Sequence, residues 1–178
     1  MMSKIVELSI DEYKDYPLVY EYMTKFYYDI SIKLKKDIHV RLKRKKLGKK
    51  QNRSFTEPLF QNFIEKPEAF GIFDRKKLVA AIEGSIETWN NRYRIWNIAV
   101  DKKYQRQGYG KLLFSHIIEV AKSHQARALV LECQSCNDPA ISFYLKQGMH
   151  FIGFDTLAYS NHDVQNKEVR LEMGMRLD

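Results

Sequence analysis

The sequence predicts an α/β protein with a mixed, mostly antiparallel sheet flanked by helices. Three observations carry this. A helical, charged first third gives way near Ala69 to a strand-rich remainder. There, Phe70–Phe73 and Leu78–Thr88 flank Asp74-Arg75-Lys76-Lys77, a polar turn of hairpin length. The order strand, helix, strand, helix then follows, which an antiparallel run alone does not produce.

In order along the chain, Ile5–Ser9 reads as a short strand. Asp11 can cap a helix to about Ile30, with Tyr16, Val19, Tyr20, Met23, Phe26 and Tyr27 near helical spacing as a core-facing stripe. A second helix is expected from Glu57-Pro58, because proline is tolerated in a first turn, ending before Pro67. In Leu78–Thr88, Ala80, Ile82, Gly84 and Ile86 share one face, and Glu83, Ser85 and Glu87 the other. Trp89-Asn90-Asn91-Arg92 makes a turn into a strand at Arg94–Val100. Lys111 to about Ser123 is a helix with Leu113, Ile117, Val120 and Ala121 on one side. Arg127–Cys133 is a nearly continuous apolar strand, expected to be buried on both faces. Asp138-Pro139 starts a helix that Gly148 ends, and strands near Met149–Phe154 and Glu168–Met175 close the sheet.

The 178 residues, 44% hydrophobic, fit a single domain spanning 1–178. Disorder would need lower hydrophobicity, and a disulfide scaffold more than two cysteines. No apolar run approaches the roughly 18 to 20 residues of a membrane span. Met1–Glu7 reaches an acid before a signal-peptide core can develop. The expectation is a soluble cytoplasmic protein without a membrane partner. The net charge of +8 is local: Lys33 to Arg53 holds eleven Lys and Arg against Asp37, a net +10, and the rest of the chain is slightly acidic. A solvated loop or helix face explains such a run more simply than a nucleic-acid surface.

The chemistry concentrates in Ile95–Lys111. A strand ending Ala99-Val100-Asp101 enters a loop with Gly108 and Gly110 that opens into a helix. Free N–H groups at a helix start bind anions, and glycine lets a phosphate approach the main chain. Arg106, Gln107 and Lys111 add donors or charge, so a pyrophosphate is the expected ligand. Two glycines before a helix also suit a simple turn. The phosphate-binding G-x-x-x-x-G-K-[ST] is absent, and Leu113 stands where G-x-G-x-x-G needs its third glycine. What remains, Gln105-x-x-Gly108-x-Gly110 after that strand, resembles the [Gln/Arg]-x-x-Gly-x-[Gly/Ala] signature of the GNAT superfamily of acetyl-CoA-dependent N-acetyltransferases. Leu131-Glu132-Cys133-Gln134, the helix Asn137-x-x-Ala140-x-x-Phe143-Tyr144 and the exit Gly148-Met149 resemble the same family independently. Glu87-Thr88-Trp89-Asn90-Asn91-Arg92, Trp96-Asn97-Ile98 and Gly153-Phe154-Asp155-Thr156 with Tyr159-Ser160 are similar to its streptothricin acetyltransferase branch, whose members acetylate an amine of a cationic antibiotic.

The resemblance implies the GNAT fold, acetyl-CoA as cosubstrate and a small amine acceptor. It implies that the main chain of Ile98, Ala99 and Val100 holds the pantetheine arm, and that Gln105, Arg106, Gln107, Gly108, Tyr109, Gly110 and Lys111 hold the pyrophosphate. Asn137, Ala140 and Phe143 match cofactor-side positions, although Asn137 also suits helix capping. Tyr144 matches the general acid, since a phenol can protonate a departing thiolate. For the base, Glu132 stands first because it ends an apolar strand where burial would raise its pKa. Glu83 and Glu87 are rivals, or attract a cationic acceptor, or belong to a solvated sheet face. Trp89, Asp155 and Tyr159 are acceptor contacts by branch resemblance. No metal site is expected: Cys133 and Cys136 read as reduced structural thiols, and the five histidines show no ligand spacing. A protein, peptide or polyamine acceptor is the alternative. From another class, a binding module could use the 33–53 segment on an acidic partner or nucleic acid. Nucleic acid is disfavoured for the enzyme, and a homodimer stays open.

Overall fold

The computed structural model describes residues 4–177. Met1–Ser3, used above against a signal peptide, lie outside them. The elements are β1 (Ile5–Leu8), α1 (Ile10–Tyr13), β2 (Pro17–Leu34), β3 (Ile38–Pro58), β4 (Glu68–Asp74), β5 (Lys77–Glu87), β6 (Arg92–Val100), α2 (Tyr109–Ser123), β7 (Ala128–Gln134), α3 (Asp138–Lys146), β8 (His150–Asp155), α4 (Asp163–Asn166) and β9 (Arg170–Arg176). No described helix is long and apolar enough to cross a membrane. Two compact units are distinguished: residues 4–21, 54–131 and 174–177, and residues 22–53 and 132–173.

The first third corrects the sequence reading twice. The helix expected over 11–30 is a single capped turn followed by β2. Ser9 Oγ accepts the Asp11 N–H (3.2 Å), and the turn stops at Lys14. Pro17 then disfavours helical geometry at Tyr16, and the aromatic and β-branched residues beyond it suit a strand. Val19 and Met23 are exposed, so the supposed core stripe does not exist. The helix expected from Glu57-Pro58 is the end of β3 and a turn. Proline cannot donate to a ladder, and Phe60 (φ 59°) and Lys66 (φ 47°) are left-handed. The basic 33–53 segment is likewise strand on both sides of a turn at 35–37, not a helix or one continuous loop.

In the first unit the strand order is β1-β4-β5-β6-β7. β4 and β5 form the expected hairpin, with Asp74 opposite Lys77. β5 is buried from Leu78 to Ser85 on both faces, so its acids do not form the solvated face that alternation suggested. Along β6, Asn97 faces Glu83 and Ile95 faces Gly84, which leaves Trp96 as the extra residue of a bulge. A Cβ at Gly84 would run into the Tyr93 ring and the Arg94 carbonyl, so only glycine permits this approach. β7 joins β6 in parallel from Arg92↔Ala128 to Ile95↔Leu131. α2 lies on β4, β5 and β6 and buries Leu113, Phe114, Ile117 and Ala121. At about 1.5 to 3 kcal/mol for each large side chain, this face holds the helix.

In the second unit β7, β9 and β8 are neighbours in that order, and β2 pairs with β3 as a separate ribbon. Ile141, Tyr144, Met149, Val169, Leu171 and Met173 are among its buried residues. The ribbon is anchored at one end. Tyr28 N–H donates to the Ser135 carbonyl (2.9 Å), and Arg44 forks onto Asp138 through Nε (2.6 Å) and Nη2 (3.0 Å). Arg53 pairs with Glu168. The short α4 was not anticipated. Asp163, buried at its start, accepts the Tyr159 N–H and the Ser160 hydroxyl.

Candidate functional site

The first unit builds an anion cradle. Asp101 accepts the Lys103 N–H (3.0 Å) and pairs with Lys77, which starts a single 3₁₀ turn after β6. Gln105 Nε2 donates to the carbonyls of Val100 (3.2 Å) and Glu21 (3.0 Å), and Gln107 Nε2 to that of Lys103 (3.0 Å). These glutamines shape the loop with their amides. Arg106 (φ 62°) and Gly108 (φ 92°) are left-handed and turn the chain into α2. Gly108 is the N-cap, without a side-chain cap bond. The Leu112 N–H closes the first turn on the Gly108 carbonyl (3.0 Å). The N–H groups of Tyr109, Gly110 and Lys111 therefore have no intrahelical acceptor and point, with the helix dipole, at the loop. This arrangement fits a pyrophosphate.

Beside it, β6 pairs with β5 out to Val100 and with β7 from Arg92 to Ile95. Ile98, Ala99 and Val100 lie on β6 beyond that stretch. An amide-bearing chain laid there would find strand-like donors and acceptors. Ile98 and Val100 are half-buried and Ala99 buried, so their side chains pack while their main chain stays available.

Two carboxylates proposed for a cationic acceptor are engaged in the same unit. Glu83 is fully buried and accepts the Phe60 N–H (2.6 Å) and Asn97 Nδ2 (2.7 Å), while Asn97 Oδ1 accepts the Tyr20 hydroxyl (2.7 Å). Burial raises its pKa, and the Asn97 and Phe60 hydrogen bonds oppose that. Glu87 receives Arg94 Nε (2.7 Å), Arg92 Nε (2.9 Å) and Asn90. Burial alone would raise it, but the Arg94 hydrogen bond and charge, then Arg92, hold it below the usual carboxylate range. Neither acid is a solvated, open cation trap. Trp89 is 83% exposed, with the Arg92 guanidinium 5.9 Å from its ring centroid.

The second unit holds the proton-transfer candidates. Asn137 is the N-cap of α3, its Oδ1 accepting the Ala140 N–H (3.2 Å), so the capping role is realised. Phe143 lies against Tyr144 with ring centroids 5.5 Å apart. Tyr144 is only 7% exposed, and burial, reinforced by Cys133, pushes its phenol well above the ordinary value. Glu132 departs from expectation. It is not sealed in apolar surroundings but half-exposed, paired with Arg170 (2.7 Å) and accepting the Tyr159 hydroxyl (3.3 Å). The physical reason is β9, which places Arg170 opposite the end of an otherwise apolar strand. Asp155 is exposed, and its Oδ1 accepts the Leu157 N–H (2.8 Å). Cys133 and Cys136 are free thiols and buried. No group of metal ligands occurs among the described residues.

Sequence reasoning missed Tyr20, Asn97 and Arg170. Asn97, a polar residue within an apolar strand, was the available signal.

A family model for the acetyltransferase (GNAT) family matches residues 36–149. Streptothricin acetyltransferase A of Bacillus subtilis (strain 168) is 41% identical over 81 residues, 44% of this chain and 46% of that protein. The ribosomal protein bS18-alanine N-acetyltransferase of Escherichia coli (strain K12) is 39% identical over 56 residues, 32% of this chain and 38% of that one. The chain thus spans less than half the length of these curated relatives. A nourseothricin acetyltransferase crystal structure superposes with a TM-score of 0.76 over 100% of both chains at 21% identity. A putative streptothricin acetyltransferase from Bacillus anthracis str. Ames, solved with acetyl coenzyme A, gives 0.71 over 97% and 98% at 23% identity. The cradle before α2, the β6 strand that leads into it and a family match over more than half the sequence agree, and the chain belongs to the acetyltransferase (GNAT) family.

Proposed function

We propose that residues 1–178 act as one catalytic domain that moves an acetyl group from acetyl-CoA to a primary amine by direct attack in a ternary complex. The observation that carries this reading is the uncapped start of α2 directly after β6. Acetyl-CoA, when bound, supplies the acyl carbon and a sulfur leaving group. Gly108 to Lys111 bind its pyrophosphate through main-chain N–H groups, and Ile98 to Val100 align its amide arm as an added strand. As the amine nitrogen bonds to the acyl carbon, the carbon–sulfur bond breaks and its electron pair goes to sulfur. Tyr144 gives that sulfur a proton. A buried phenol keeps its proton at neutral pH, and the same low-dielectric surroundings make a thiolate more basic, which favours the transfer. The amine's proton leaves to water or to Glu132.

We assign the acceptor to streptothricin-like cationic amines, with Trp89, Asp155 and Tyr159 as contacts, because two relatives with those names cover this reading. The bS18-alanine N-acetyltransferase supports a peptide amine as the second reading. Thiol release from acetyl-CoA is measured with streptothricin, aminoglycosides, polyamines and peptides. Selective turnover with streptothricin, giving an acetylated product by mass, is expected. Turnover with a peptide instead moves the acceptor, and no turnover with any amine overturns the enzyme reading in favour of a binding module.

A further inference from the structure

The β2–β3 ribbon carries charge and apolar surface that acetyl transfer does not use. Alternation places Ile32 and Leu34 on one side of β2, and Ile38, Val40 and Leu42 on one side of β3. Ser31, Lys33, His39, Val40 and Arg41 line a common hollow; four of these five are odd-numbered, which places the odd-numbered residues on the other side. Lys35 and Lys36 sit in the closing turn, where the Lys35 N–H reaches the Asp37 carbonyl (3.2 Å). The apolar side is open: Leu34 is 73% exposed, Ile38 74%, Ile32 44% and Val40 45%. Ion pairs in the segment use Arg44, Lys45 and Arg53, towards the anchored end. Lys33, Lys35, Lys36, Arg41 and Lys43 have none among the described residues.

Three occupants could cover this tip, and the side chains separate them. A nucleic acid would neutralise the cations but leave Leu34 and Ile38 in water. A second copy would cover the apolar side but bring together two segments of net charge +10. An anionic bilayer takes up both features, as it does for amphipathic surface helices with lysines on one face and large apolar residues on the other. We propose that the ribbon tip docks on an anionic lipid surface, with Leu34, Ile38, Ile32 and Val40 at the headgroup–acyl boundary and the surrounding lysines attracted to lipid phosphates. Surface docking needs no membrane span, so the argument that set aside a membrane partner does not reach it.

The test is co-sedimentation of the full chain with vesicles of phosphatidylcholine alone, or of phosphatidylcholine mixed with phosphatidylglycerol. Binding is expected only to the mixed vesicles, and should weaken as salt rises. The variants Leu34→Asp/Ile38→Asp and Lys35→Glu/Lys36→Glu should each lower partitioning by about tenfold or more, since each surface cation contributes a few-fold and charge reversal doubles the change. Acetyl transfer should be unchanged in both. Because the apolar variant could disturb the ribbon, the turn variant at exposed lysines gives an independent reading. Equal partitioning to both vesicles, or none, overturns the proposal. So does oligonucleotide binding that survives Leu34→Asp/Ile38→Asp without vesicle binding, or a dimer that this variant dissociates without vesicle binding.

Discussion

Gly108 and Gly148 offer a controlled comparison, because the two residues share a backbone state and differ in assigned task. Gly108 has φ 92° and Gly148 φ 89°, and an added Cβ meets nothing within 4 Å at either position. An alanine therefore costs only backbone strain, about 1 to 2 kcal/mol at each. For a chain of this size, 1 kcal/mol corresponds to about 2 to 4 °C, so each variant should melt about 2 to 8 °C lower. The functional consequences should part. At Gly108 the methyl group enters the cradle and weakens the close approach of a pyrophosphate oxygen to the N–H groups of α2. Losing one hydrogen bond to a charged group, about 1.5 to 3 kcal/mol, raises KM for acetyl-CoA by about tenfold or more. Calorimetry and steady-state kinetics on Gly108→Ala and Gly148→Ala decide it. Equal KM values for both variants, or a normal KM in Gly108→Ala despite its lower Tm, would refute the cradle assignment.

Other outcomes follow from the same geometry. Tyr144→Phe should lower kcat by about a hundredfold with KM for acetyl-CoA unchanged, and an unaltered rate at saturation rejects it as the acid. Glu87→Gln should cost about 2 kcal/mol at neutral pH. Because its folded pKa is depressed, that stability is present above the unfolded value near 4.3 and is lost as pH falls through the folded value. The gap between Glu87→Gln and the parent in urea midpoint should therefore narrow under acid conditions; a gap independent of pH contradicts the ion-pair account. Arg44→Ala leaves the buried Asp138 without its fork and should cost about 1 to 2 kcal/mol, less than a fully buried pair because Arg44 is half-exposed. Adding Asp138→Asn should recover part of this, and strict additivity of the two changes would show the fork to be inert.

The remainder of the chain was legible where pattern and punctuation agree. The hairpin at 74–77, the entry to α2 and the Asn137-Asp138-Pro139 helix start each combine a periodic run with residues of fixed backbone preference, and the structure places all three as expected. The first third misled because Tyr16, Val19, Tyr20, Met23, Phe26 and Tyr27 satisfy a helical period by chance among many aromatics. Two contrary signals were present. Pro17 interrupts that helix, and Ile30-Ser-Ile-Lys-Leu-Lys-Lys-Asp-Ile-His-Val-Arg-Leu-Lys alternates strictly on both sides of a polar turn. The charge of that stretch masked its period of two. Glu132 and Glu83 were misjudged for a different reason. Whether a carboxylate is sealed or paired depends on residues distant in sequence, Arg170 for one and Phe60 with Asn97 for the other, and no local pattern encodes those partners.

The hydrogen bonds around Glu83 run in one direction. Tyr20 donates to Asn97, Asn97 donates to Glu83, and the Phe60 amide donates to the other carboxylate oxygen. Every polar group here has one partner of the right polarity, and the carboxylate is the terminus that both chains need. A glutamine in its place would present an amide donor to a donor, so the Asn97 amide would have to reverse and the Tyr20 hydroxyl turn from donor to acceptor. Isosteric replacement thus reverses the chain of hydrogen bonds as far as Tyr20. Tyr20, Glu83 and Asn97 are expected to drift as a set, exchanged together for an apolar trio or retained together, so that single departures from the set mark sequences in which the β6 bulge has a different geometry.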